Sequence, residues 1–169
     1  MSIFNTFFRF TLAFSFFFIS FALIAEPTLE EVVVSARKVD ESVQDVPIAM
    51  SVFTSSDISD AGIERPEDFI ALTPNVVMAN TVNVGDTLVT IRGLTSTRDA
   101  ESNFAFVVDG VLQTNPNAFN RELLDIAQIE VLKGPQGALY GRNATSGAIL
   151  ITTKTPSEES ESTAVVGMG

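Results

Sequence analysis

The sequence predicts an α+β domain, and three observations carry that prediction. Five or six short stretches are rich in β-branched and apolar residues, each bounded by turn formers. Two or three other stretches carry helix start and stop signals. The 169 residues suffice for one domain and contain no repeat of solenoid or propeller period.

The first element is a targeting segment. Met1 to Phe8 is uncharged, Arg9 is the sole early charge, and Phe10 to Ile24 is apolar apart from Thr11, Ser15 and Ser20. Small residues follow, placing cleavage after Ala22 or Ala25. This reads as a secretory signal peptide over residues 1–25. The run falls short of the ~20 apolar residues of a span and acids follow it at once. The exported chain would carry nine bases against 21 acids, a net −12. Residues 26–45 read as a flexible lead-in, polar except for Val32-Val33-Val34.

The folded domain is expected over 46–156. Ile48 to Thr54 suits a strand. Thr54-Ser55-Ser56-Asp57 then offers a helix N-cap with an acid in the first turn, and Gly62 sits where that helix stops. Pro66 suits the first position of a second helix to Leu72, with Glu67 and Asp68 in its first turn. Thr73-Pro74-Asn75 ends it. Thr87 to Arg92 is a strand stopped by Gly93. Phe104 to Val108 is another, which Asp109-Gly110 turns into Val111-Leu112. Thr95 to Asn103 and Gln113 to Asn120 read as polar connections, and Arg121 to Ala127 suits one helical turn. Gln128 to Lys133 and Ala148 to Thr153 are strands around a glycine-rich loop. After Pro156 an acidic stretch leads into Ser162 to Gly169, which alternates small or polar with apolar residues.

Composition excludes several chemistries. With no Cys and no His, disulfides, thiolate or imidazole metal sites and His-dependent triads are impossible, and no metal or cofactor is expected. A net charge of −11 without a basic cluster argues against nucleic acid. No acid pair sits in a recognisable catalytic frame, so an enzyme is not expected.

Ile129 to Ile149 carries the most information. It places Gly134, Pro135, Gly137, Tyr140, Gly141 and Gly147 between two strands. Those glycines permit positive φ or close backbone approach. A phosphate-binding P-loop does not fit, because that needs Gly-Lys-Ser/Thr followed by a helix. Here Lys133 precedes the glycines and a strand follows.

This stretch resembles the plug signature of TonB-dependent outer-membrane receptors. Thr90-Ile91-Arg92-Gly93 and Val107-Val108-Asp109-Gly110-Val111 resemble two further plug motifs in the family's order. Val46-Pro47 and Ala71-Leu72-Thr73-Pro74-Asn75-Val76 are similar to its opening. The resemblance implies a small mixed-sheet plug. It also implies a receptor barrel of about 22 strands, whose first strand would begin in 157–169. Thirteen residues after Pro156 cannot supply that barrel, so the chain is expected to be a fragment, a truncated product or an excised domain.

The resemblance gives the remaining residues their meaning. Glu31, Val32, Val33, Val34, Ser35 and Ala36 resemble a TonB box, a β-prone segment that adds as a strand to TonB's periplasmic domain. Arg92, Glu130 and Lys133 are similar to a charge cluster locking plug to barrel wall. Lys133 departs from the Arg usual there, which removes bidentate pairing. Arg98, Gln113 and Asn115, on loops that resemble outward-facing apices, are candidates for touching an extracellular nutrient or metal chelate. The implied role is active uptake across the outer membrane, with the box facing the periplasm. The rival is a stand-alone periplasmic module that engages TonB without transporting.

Overall fold

The computed structural model describes residues 31–35, 41–80, 87–96 and 102–156. All of them except Glu31 belong to one compact unit that begins at Val32.

Two strands precede the expected domain. β1 (Val33–Val34) pairs antiparallel with β2 (Glu41–Ser42). Within the lead-in expected to be flexible, these residues therefore form a ladder. Val34 is 1% exposed, because a β-branched side chain placed against the domain gains more from burial than from remaining in a free tail.

β3 (Met50–Thr54) hands over directly to α1 (Ser55–Asp60). Thr54 caps that helix. Its backbone N–H and its hydroxyl both donate to Asp57 Oδ2, at 2.8 and 2.7 Å, and Asp57 N–H returns a bond to Thr54 Oγ1 at 3.4 Å. α2 (Pro66–Ala71) opens on Pro66, which lacks the N–H that a first turn leaves unpaired. Asp68 Oδ2 accepts the N–H groups of Glu64 and Arg65.

β4 (Val76–Asn80), β5 (Thr87–Ile91) and β6 (Leu94–Thr95) make an antiparallel three-stranded sheet. β4 has no counterpart in the sequence reading. β7 (Phe104–Val108), β8 (Val111–Leu112), β9 (Ile126–Lys133) and β10 (Gly147–Thr153) join β3 in a five-stranded sheet of order β3-β9-β10-β7-β8. Only the β7–β10 pair in it is parallel. Arg92-Gly93 and Asp109-Gly110 have positive φ at both positions. That geometry matches the twist of the strands they join.

The helical turn expected within Arg121 to Ala127 is absent. A 3-10 turn at Pro116–Asn120 takes its place, and β9 begins at Ile126. Phe119 explains the shift: it is buried, with rings of Phe106, Phe104 and Phe69 edge-on at 5.0, 5.2 and 6.3 Å. Those contacts hold the turn one step earlier than local propensity suggests. The glycine-rich loop contains α3 (Gly137–Tyr140), a single turn.

Strand alternation divides the five-stranded sheet into two faces. One carries Phe104, Phe106, Ile129, Val131, Ile149 and Ile151, in a core with Val89 and Ile91 of the second sheet and Phe69 of α2. The other carries the smaller Ala105, Val107, Leu132, Ala148 and Leu150, capped by Ala144 and Tyr140. Gly147 is fixed by packing: a Cβ there would lie 2.2 Å from the carbonyl oxygen of Leu132.

Candidate functional site

The N-terminal strand is docked. Val43 N–H donates to Val32 O at 3.0 Å, which together with the β1–β2 register turns Val32 and Val34 toward β2. Val33 and Ser35 face the other way. Gln128 Nε2 donates to Val33 O at 3.0 Å, and Ser35 N–H donates to Glu130 Oε1 at 3.1 Å. Gln128 Nε2 also donates to Glu130 Oε1 at 3.2 Å. Of the expected box residues, Glu31 to Ser35 are described and Ala36 lies outside the described residues.

The three charges expected as one cluster are split between two faces. Glu130 shares a strand parity with Leu132, whereas Lys133 shares that of Ile129 and Val131. Glu130 is 2% exposed and accepts bonds from Ser35 and Gln128. Lys133, also buried, donates through Nζ to Ser51 Oγ at 3.0 Å and Pro74 O at 3.5 Å. Burial pulls its pKa below the ordinary lysine value, and the Arg92 charge pulls in the same direction. Arg92, in the positive-φ turn, is exposed. Its guanidinium lies over Gly134, 3.1 Å from where a Cβ would stand. Arg92 and Lys133 thus form a cationic pair.

The glycine loop is a packing device. Gly134 N–H donates to Ser146 O at 2.9 Å and Gln136 N–H to Ala144 O at 2.7 Å, folding the loop back on itself beneath an exposed Pro135. Gly137 opens α3, and Gly141 closes it at φ 83°. Tyr140 is half-buried; burial and then the nearby Glu130 charge push its pKa up. A four-residue helix followed by a loop and a strand is no phosphate cradle.

Asp109 and Asn103 emerge as ties. Asp109 accepts Thr153 N–H and Thr153 Oγ1–H at 2.8 and 2.9 Å, so the Asp109-Gly110 turn holds the end of β10. Asn103 joins the two sheets: its Oδ1 accepts from Ser96 Oγ, and its carbonyl accepts from Ser146 N–H. Gln113 and Asn115 line a recess of about 20 Å³ with Phe104, Phe106 and Phe119, room for one water and not for a chelate. Arg98 lies outside the described residues. The sequence reading missed Gln128, Ser51 and Asn103. Gln128 alone carried a signal, since two residues before Glu130 on a strand means the same face. Among the described residues, no group of three metal-ligating side chains converges.

The TonB-dependent receptor plug domain model matches residues 42–148. The chain belongs to this family. The match begins inside the lead-in, at β2, and ends in β10. The chain is 31% identical over 132 residues to the pesticin receptor of Yersinia enterocolitica, covering 78% of this chain and 19% of that protein. It is 32% identical over 148 residues to a vitamin B12 transporter of Vibrio vulnificus, covering 84% and 23%. The ferric yersiniabactin uptake receptor of Yersinia pestis superimposes with a TM-score of 0.60 at 31% identity, over 64% of this chain and 17% of that one. The chain spans about a fifth of the length of the curated relatives it matches. The expected mixed α+β plug is therefore the observed fold, and its family is one of transport receptors rather than enzymes.

Proposed function

We propose that this plug is the energy-coupling region of an outer-membrane receptor for active uptake of a scarce nutrient. The substrate class would be that of siderophores, cobalamin or glycans. The observation that carries the reading is β1: a β-branched segment already in strand conformation, immediately ahead of the region that matches the plug model. Such a segment can add to the sheet edge of TonB through backbone bonds alone. The Arg92–Lys133 pair supports a role in holding the plug against a carboxylate of the barrel wall, with Lys133 contributing attraction without bidentate geometry. Glu130, facing the box, fits a role in box placement better than one in that lock. Gln113 and Asn115, through their exposed loop rather than the small recess, are the proposed substrate-facing residues, together with Arg98. The receptor names among the relatives support the uptake reading, and the box is proposed to face the periplasm.

The test is retention of the chain on the immobilised C-terminal domain of TonB. We expect retention, and its loss on deletion of Glu31 to Ala36. Equal retention of the deleted chain would sink the box assignment.

A further inference from the structure

The two backbone edges of β1 are occupied differently. The edge formed by Val32 and Val34 is held by a true strand, β2. The edge formed by Val33 and Ser35 is held by two side chains of β9. Gln128 and Glu130 are two residues apart on one face of a strand, about 6.4–6.8 Å along it. Val33 and Ser35 have the same spacing on β1. The amide of Gln128 donates to a carbonyl and the carboxylate of Glu130 accepts from an N–H, at 3.0 and 3.1 Å. A neighbouring strand would offer that same pair of groups at that same spacing. The Gln128–Glu130 bond at 3.2 Å sets the two side chains against each other.

We infer that Gln128 and Glu130 are a side-chain stand-in for a partner strand and gate strand addition to the Val33–Ser35 edge. A β-strand that adds there displaces Gln128 from Val33 O and Glu130 from Ser35 N–H, both of them bonds to side chains. The occupant is an extended peptide segment of the TonB type, so the inference rests on the box reading above. Gln128 and Glu130 are positioning residues: they set how much of the time the edge is free.

The experiment uses the full chain and Gln128→Ala, leaving the buried Glu130 in place. Gln128 is only half-buried, and its backbone rungs to Thr54 and Thr152 survive the substitution. Amide hydrogen exchange is read at Ser35, with Ile129 and Leu150 as references within the sheet. Loss of the Gln128 bonds should raise the Ser35 exchange rate about five- to tenfold and leave the reference amides unchanged. Retention on the TonB C-terminal domain should rise by a similar factor. An unchanged Ser35 rate overturns the gate. A raised Ser35 rate, with neither protein retained by TonB, overturns instead the box reading beneath it. Equal retention of both proteins despite the raised rate overturns the gate alone.

Discussion

Thr54 and Asp57 illustrate what a single residue can be read for. The Thr-x-x-Asp spacing was legible because a capping hydroxyl and a first-turn carboxylate answer to local backbone geometry alone. Removing the hydroxyl in Thr54→Ala should cost about 1 kcal/mol in urea denaturation at neutral pH. The Thr54 side-chain bond, then its backbone bond, holds the Asp57 carboxyl below its ordinary value of 3.8. A depressed carboxylate pKa means that this stabilisation is complete above 3.8 and is lost as pH falls through the lower folded value. The Thr54→Ala penalty should therefore shrink in acid; a pH-independent penalty would contradict the capping account. Gly147 shows the opposite case. Its presence was legible, but its reason, the Leu132 carbonyl 2.2 Å from any Cβ, belongs to a strand 15 positions away. Gln128 was passed over because a neutral amide announces nothing until its partner strand is in place.

Elements were legible where their signals are local. β7 and the Asp109-Gly110 hairpin fall where turn chemistry puts them, and Pro66 opens α2 as its missing N–H dictates. Two elements were not legible because distant contacts decide them. β4 reads Val-Val-Met-Ala-Asn, and its identity as a strand depends on pairing with β5. The 3-10 turn at Pro116–Asn120 is held by Phe119 rather than by helix propensity. Truncating that ring tests the explanation. Phe119→Ala should cost about 3–5 kcal/mol, seen as a lower urea midpoint. A loss below about 1 kcal/mol would mean that the turn forms for local reasons.

At the scale of the molecule, ordered motifs identified the family, while the faces on which charges fall required the sheet. The family resemblance groups Arg92, Glu130 and Lys133 as one cluster. Only the register of β9 shows that Glu130 looks away from the other two. The surface also carries large apolar side chains in solvent: Val77 and Val111 are each 62% exposed and Leu94 is 52% exposed. Large apolar side chains left in solvent suit a surface that another element covers, here the proposed barrel wall. The chain alone should bind a hydrophobic dye such as ANS. Replacing Val77 and Val111 with Ser should reduce the signal without lowering the urea midpoint. Absence of dye binding by the unmodified chain would argue that these residues are ordinary scattered surface positions.

The register of the five-stranded sheet also fixes how the domain meets a mechanical load. Met50, where the chain enters β3, is level with Leu132 and with Ala148 near the start of β10, whereas β10 leaves the sheet at Thr153, beyond the level of Thr54. Tension that enters at Met50 and is resisted at Thr153 therefore runs along the strands, not across them. Loaded in that direction, the rungs of β3 on β9 and of β9 on β10 share the force and must give way together. A load that pulled a strand sideways would instead break those rungs in succession. A pull on the N-terminal segment thus meets the sheet along its stiffest axis. Contacts made by side chains alone, such as those of Gln128 with Val33 and of Glu130 with Ser35, lie ahead of the sheet on the path of that load and yield before it does.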